Sequence, residues 1–305
     1  IGMVGFNLNA GILQGVGDSV TSVKYLIIAA LINIVFDLIF VIPMQMGVFG
    51  AALATVISQF VSWILGILHI NKHDCHFPMK QLYKHYHYLR VDFKDMPFDK
   101  EVFKRSLKLG IPSALQNSVF SIGIIVLESL INTFGTDFIA GYQSALKVDN
   151  FVFLPIQSYA NAITTYTGQN VGAKRPDRIR EGRKAGLYLS FITCVAVGII
   201  LFPLSNLVMS MFSNDSNVIY VGTLYLHTVL PFYFLLALLF IHNSILRGVG
   251  KMTIPMLTSF VSLWIARVPA AYLLTDLFGP YSVFFAYPLG WILGDIITLI
   301  YYYSG

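Results

Sequence analysis

Charge is what this chain has least of. Only 11% of its 305 residues are Asp, Glu, Lys or Arg, where a soluble domain carries ~25%. With 56% hydrophobic residues and a mean hydropathy of +0.70, that scarcity excludes an ordinary soluble exterior. It points to a polytopic membrane protein, for which the usual residues-per-domain prior does not hold. Cysteine is nearly absent: Cys75 and Cys194 give no disulfide framework. No Gly-rich loop precedes a Lys in phosphate-loop spacing, and neither Gly-x-Ser-x-Gly nor His-Glu-x-x-His occurs. Gly248-Val249-Gly250-Lys251 lacks the required strand and spacing. The reading is a non-enzyme without cofactor or nucleic-acid partner, drawing on an ion gradient rather than ATP. A secretory signal is missing as well. Residue 1 is Ile and the chain opens inside an apolar run, so we expect a fragment whose N-terminal part lies outside it.

What is present is organised around one stretch. An apolar run from Tyr25 to Ile42 is closed by Pro43, Gly47 and Gly50 and carries one charge, Asp37, deep inside. An acid at that depth costs about 2.5–3.5 kcal/mol on insertion scales, which makes it a functional residue by default. Asn33 sits four residues earlier and shares its helix face. An amide stacked on a carboxylate makes a cation or proton site. The structural alternative is that Asn33 caps the carboxylate and both hold helices together.

Eight complete crossings are expected after a leading helix tail at Ile1 to Leu13. Two precede a polar stretch from Asn71 to Lys108. Six follow: Ile111–Phe134, Phe138–Gln169, Ala185–Phe212, Val218–Leu246, Thr253–Leu274 and Tyr281–Tyr303. Lys24, the Lys72–Lys108 stretch, Lys174–Lys184, Arg247 and Lys251 fall on one side. The alternate turns show Asp137, Asp215 and Asp276 without Lys or Arg. The positive-inside rule therefore makes the long polar stretch cytoplasmic. Phe98–Arg105 reads as an amphipathic interfacial helix. Leu13-Gln14-Gly15-Val16-Gly17 returns as Leu246-Arg247-Gly248-Val249-Gly250, with an even number of crossings between the copies. Such parallel repeats imply two lobes related by an axis along the membrane normal.

These blocks resemble the multidrug and toxic compound extrusion (MATE) family over essentially the whole chain. Leu13 to Asp18 followed by Asn33–Asp37 looks like the family's fourth-to-fifth helix signature, and Gly47–Thr55 like the opening of its sixth helix. Gly168–Ala173 resembles the cytoplasmic end of helix eight; Leu246–Gly250 and Arg267-Val268-Pro269 resemble helices ten and eleven. The resemblance implies an all-α integral membrane fold, a two-lobed bundle of parallel repeats with about nine of twelve helices present. Residues 1–70 would be the remainder of the N-lobe, 71–108 a cytoplasmic inter-lobe linker and 109–305 the C-lobe. It implies export of amphipathic, often cationic, organic compounds, driven by inward flow of Na⁺ or H⁺. It also implies a multi-pass monomer in a bacterial inner or plasma membrane, with small organic substrates and the lipid bilayer as partners. By the same resemblance Asn33, Asp37 and Thr55 fall on cation-site positions, and the helix-one Asp that completes that site has no counterpart here.

Glu128 is a second acid within a span, expected either to bind cationic substrate or a proton or to be a neutral group hydrogen-bonded between helices; the acid that usually partners it in the family, on helix ten, is missing from Val218–Leu246. Tyr142 and Gln143 are candidate cavity groups. Lys147 and Asp149 either pair with each other or face an aqueous cavity, with a structural role preferred, and Arg267 reads as a brace between helices. Asp295 is placed too far inward to partner Arg267. His69, His73, Cys75, His76, His85 and His87 cluster near the linker, but His73-Asp74-Cys75-His76 lacks zinc-ligand spacing, so no metal is expected. The alternatives are a lipid-linked precursor flippase, disfavoured because the spans hold few cations, a membrane enzyme or metal-dependent regulator using the His-rich linker, and an inactive truncated remnant.

Overall fold

The computed structural model describes residues 1–71 and 98–304. The expected linker, with His73, Cys75, His76, His85 and His87, lies outside the described residues apart from its two ends. The chain divides into two units, Ile1–Phe98 and Asp99–Gly305.

The first unit holds α1 (Gly2–Gly15), α2 (Ser19–Val41) and α3 (Gly47–Asn71). Asp18 starts α2 by accepting the Thr21 amide at 3.0 Å, which satisfies one of the donors a helix start leaves open. α3 is the hub of this unit. Ser62 Oγ donates to the Tyr25 carbonyl of α2 at 3.0 Å, and Asn9 Nδ2 of α1 donates to the Trp63 carbonyl at 2.9 Å. In an apolar surrounding, such bonds to backbone oxygens hold helices that hydrophobicity alone cannot sort.

The second unit begins with α4 (Lys100–Ile131), capped by Asp99, which accepts from the Glu101 and Val102 amides at 2.8 and 3.1 Å. The expected interfacial helix over Phe98–Arg105 is not separate. It continues through Pro112 into the span, because the Asp99 cap sets a helix start that nothing downstream interrupts. Then follow α5 (Thr136–Gly172), α6 (Pro176–Ser210), α7 (Ser216–Val229) and α8 (Tyr233–Gly248), the last two joined by a 3₁₀ turn at Leu230–Phe232 around Pro231. α9 (Thr253–Phe260) runs into a π-helical stretch, Val261–Arg267, and on into α10 (Val268–Phe278). A 3₁₀ segment, Pro280–Phe285, leads to α11 (Ala286–Ser304). All described regular structure is helical.

Among the described residues seven of the long helical stretches are apolar enough to cross a membrane. The eighth expected crossing, α5, is as long as any but falls outside that set. Its polar residues, Gln143, Lys147, Asp149 and Asn150 among them, are what lower its hydropathy. It is also the helix against which α6, α7 and α8 pack. At Gly141 an added Cβ would lie 2.6 Å from the Val218 carbonyl oxygen, so the α5–α7 approach requires glycine.

The repeat is visible in backbone detail. Asp18 N bonds to Leu13 O and Gly17 N to Gln14 O; Lys251 N bonds to Leu246 O and Gly250 N to Arg247 O. Gly17 and Gly250 both take positive φ, 95° and 82°. This is the six-to-one, five-to-two closure of a Schellman end.

Candidate functional site

In the first unit the structure brings Asn33 to Thr55. Asn33 Nδ2 donates to Thr55 Oγ1 at 3.4 Å, and Thr55 Oγ1 donates to the Ala51 carbonyl at 3.0 Å. Asp37 lies one turn along α2 and is half-buried. Its Oδ1 is shielded from water and has no hydrogen-bond partner, so Asn33 does not cap it. Gln59, one turn beyond Thr55 on α3, also keeps a shielded side-chain oxygen without a partner. α2 and α3 run antiparallel, with Asn33 against Thr55 and Tyr25 against Ser62, so Asp37 and Gln59 lie on opposite sides of the Asn33–Thr55 contact. Asn33, Asp37 and Thr55 offer a carboxylate, an amide oxygen and a hydroxyl. This is a hard, oxygen-rich set that suits a small cation or a proton.

In the second unit the structure assembles a buried cluster that no single stretch of sequence announces. Tyr142 on α5 and Tyr287 on α11 share a hydrogen bond between their hydroxyls at 2.5 Å. The Arg267 guanidinium lies over the Tyr287 ring, 3.3 Å from its centroid. Tyr225 on α7 meets Tyr142 and Tyr287 edge-on, with centroids 5.7 and 5.5 Å apart. Tyr142, Tyr225, Tyr287 and Arg267 are all buried. Asp149 lies within electrostatic reach of Tyr225 and Arg267. It approaches the Tyr225 hydroxyl without hydrogen-bond geometry, and Asp149 Oδ1, Tyr225 Oη and Arg267 Nε are each shielded and unpartnered. Arg267 forms no ion pair among the described residues. The Tyr287 ring face attracts the guanidinium, an arrangement worth about 2 kcal/mol when desolvated.

The π-helical stretch explains how Arg267 arrives there. Pro269 has no amide hydrogen to offer the carbonyl four residues back. The wider turn that precedes it shifts register by a residue, and such bulges recur where a helix must re-aim a side chain. Of the other candidates, half-buried Glu128 is felt electrostatically at Tyr142. Gln143 is exposed, on the other side of α5 from the cluster, and Lys147 is exposed as well, with its ammonium 5.7 Å from the Phe212 ring centroid. Lys147 and Asp149 therefore do not pair.

A groove of about 530 Å³ lies along α6 beside the Pro231 turn. Phe191, Cys194, Phe202, Pro203 and Pro231 help line it, and no lining residue carries a charge. It offers nothing to orient a polar substrate or hold an ion.

The sequence profile of the family described as MatE matches residues 112–273. The chain is 24% identical over 304 residues to "Probable multidrug resistance protein YpnP" of Bacillus subtilis, covering 99% of this chain and 65% of that protein. It is 28% identical over 285 residues to "Probable multidrug resistance protein NorM" of Thermotoga maritima, covering 91% of this chain and 58% of that protein. It thus spans less than two thirds of the length of these relatives. A solved structure described as "MATE in the bent conformation" matches with a TM-score of 0.85 and 23% identity, covering 99% of this chain and 65% of the other. That likeness is one of fold.

Proposed function

The chain belongs to the MatE family, and on that premise we propose that it acts in cation-coupled export of amphipathic organic compounds across the cell membrane. The observation that carries the coupling is Asp37. Its carboxylate keeps a shielded oxygen without a partner, one turn from an amide and a hydroxyl that already touch. A charge in such surroundings is costly until a cation joins it. Uptake of Na⁺ or H⁺ at Asp37 would neutralise the pair of helices α2 and α3 and let them repack, releasing substrate outward in an alternating-access cycle. In the second unit, Tyr142 and Glu128 are assigned to substrate or proton contact, with aromatic faces suited to organic cations. Gln143 keeps only a surface position in this reading.

The test is dye efflux from everted vesicles with a sodium or a proton gradient imposed separately. Export driven by one gradient and abolished by Asp37→Asn is the expected result. Undiminished efflux in that variant would overturn the site. The flippase reading is not favoured: a pyrophosphate head group needs a ring of cations, and Arg267 is already engaged by Tyr287.

A further inference from the structure

α6 carries the uncharged groove beside the Pro231 turn and, nearer its start, exposed basic residues. The groove is held open from both ends. At Gly198 an added Cβ would meet nothing within 4 Å, so the missing side chain leaves a hollow. Phe202, at the far end, is fixed by His227, whose ring stacks on it with centroids 4.2 Å apart and whose Nε2 lies 2.9 Å from the Phe202 carbonyl oxygen. Phe191, Ile199 and Phe202 are exposed, so the groove opens on the outer surface of the second unit. From Phe191 to Phe202 it runs about 17 Å by the α-helical rise. One leaflet of hydrocarbon is about 15 Å deep, so the groove takes the length of one acyl chain.

The same face of α6 is basic toward the helix start. Lys184 stands seven residues before Phe191 and Arg180 eleven before it, close to two and three whole turns, so both lie on the side of the groove. Both are exposed. Glu181 lies between them, yet no ion pair joins either cation to an acid among the described residues. Arg183, on another side of the helix, is engaged: it donates to Tyr303 Oη at 2.9 Å and lies 5.0 Å from the Tyr302 ring centroid. Exposed Tyr188 stands between Lys184 and Phe191, an aromatic of the kind that marks the head-group level. One stripe thus runs from cations through an aromatic to an apolar hollow. A phospholipid presents phosphate, ester and acyl chain in that order, and basic residues just outside a span select the anionic ones.

We propose that α6 binds one anionic phospholipid from the leaflet on the basic side of the spans, its phosphate held by Lys184 and Arg180 and one acyl chain laid in the groove over Gly198. The site stands apart from Asp37 and does not depend on the coupling role given to that residue.

Native mass spectrometry tests it without requiring transport. The full chain is reconstituted in bilayers of equal phosphatidylglycerol and phosphatidylcholine, extracted in mild detergent and weighed with its bound lipid. Retention of phosphatidylglycerol over phosphatidylcholine is expected. Each basic residue near the surface is worth about fivefold, so Arg180→Gln combined with Lys184→Gln should lower phosphatidylglycerol retention by about twentyfold. Gly198→Phe fills the hollow and should release the lipid although both cations remain. Equal retention of the two lipids by the wild type, or an unchanged preference in the double variant, overturns the head-group contacts. Unchanged phosphatidylglycerol retention in Gly198→Phe overturns the groove. Should Gly198→Phe not fold, phosphatidylglycerol carrying a diazirine within its acyl chain tests the wild type directly. Irradiation is expected to attach it within residues 191–203, and excess phosphatidylglycerol, but not phosphatidylcholine, to suppress the attachment. Attachment elsewhere, or equal suppression by both lipids, overturns the site.

Discussion

The two units keep their charged groups in opposite ways. In the first, Asn33, Asp37 and Thr55 lie on two adjacent helices, half-buried or exposed, and the acid has no bonded neighbour. In the second, Tyr142, Tyr225, Arg267 and Tyr287 come from α5, α7, the π-helical stretch and α11 and are closed off together. An acceptor-rich, half-open site is easily emptied and refilled. A guanidinium clamped on a ring behind interlocked hydroxyls is not. The difference is one of access: the first site is half-open, while the Arg267–Tyr287 contact of the second is closed off.

The sharpest way to break that contrast is Asp37→Asn, expected to lower gradient-driven efflux to the level of cells without the transporter while leaving thermal stability in detergent almost unchanged. A large stability loss instead would make Asp37 a packing residue. Next in size is Arg267→Ala. Removing a desolvated cation from the Tyr287 face should cost about 2 kcal/mol, seen as a lowered unfolding midpoint, with Arg267→Lys recovering only part because it lacks the planar group. Tyr287→Phe keeps the ring under Arg267 and removes the hydroxyl pair. It should cost about 1 kcal/mol, measurable in the same melt. Thr55→Val should leave stability within about 0.5 kcal/mol, since its bond from Asn33 is long and exposed, and should weaken cation dependence of efflux only severalfold. The smallest effect is expected from Gln143→Ala, on the exposed side of α5: transport and melting unchanged. A clear transport defect there would return Gln143 to the binding site.

Much of the first site was legible before any coordinates because its parts are local. Asn33 and Asp37 are one turn apart, and four-residue spacing on a helix is a geometric fact. Thr55 came from the family resemblance, and the structure places it against Asn33. In the second unit the sequence singled out Tyr142, Glu128 and Arg267 separately. It could not show that Tyr142 meets Tyr287, because 145 residues separate them. Of the two expectations for Lys147 and Asp149, a mutual pair and a place facing a cavity, the structure excludes the pair. Two positions on a helix point to different sides, and α5 turns Lys147 outward while Asp149 keeps a shielded oxygen inside.

Sequence by itself determined that this chain is helical and apolar, roughly where its spans lie, and which side of them is basic. Length, hydropathy and Lys/Arg placement are properties of each segment alone, and membrane insertion reads each segment nearly alone. It also determined the repeated helix ends, since a glycine at positive φ and its flanking carbonyls lie within six residues. Only the tertiary structure decided which polar groups inside those spans are neighbours. The rotation of each long helix about its own axis is set by packing against the others, by close approaches such as Gly141 on Val218 and by the widened turn before Pro269. A change of one residue in that rotation moves a side chain by about 100°, which separates a buried Arg267 over a ring from one facing lipid.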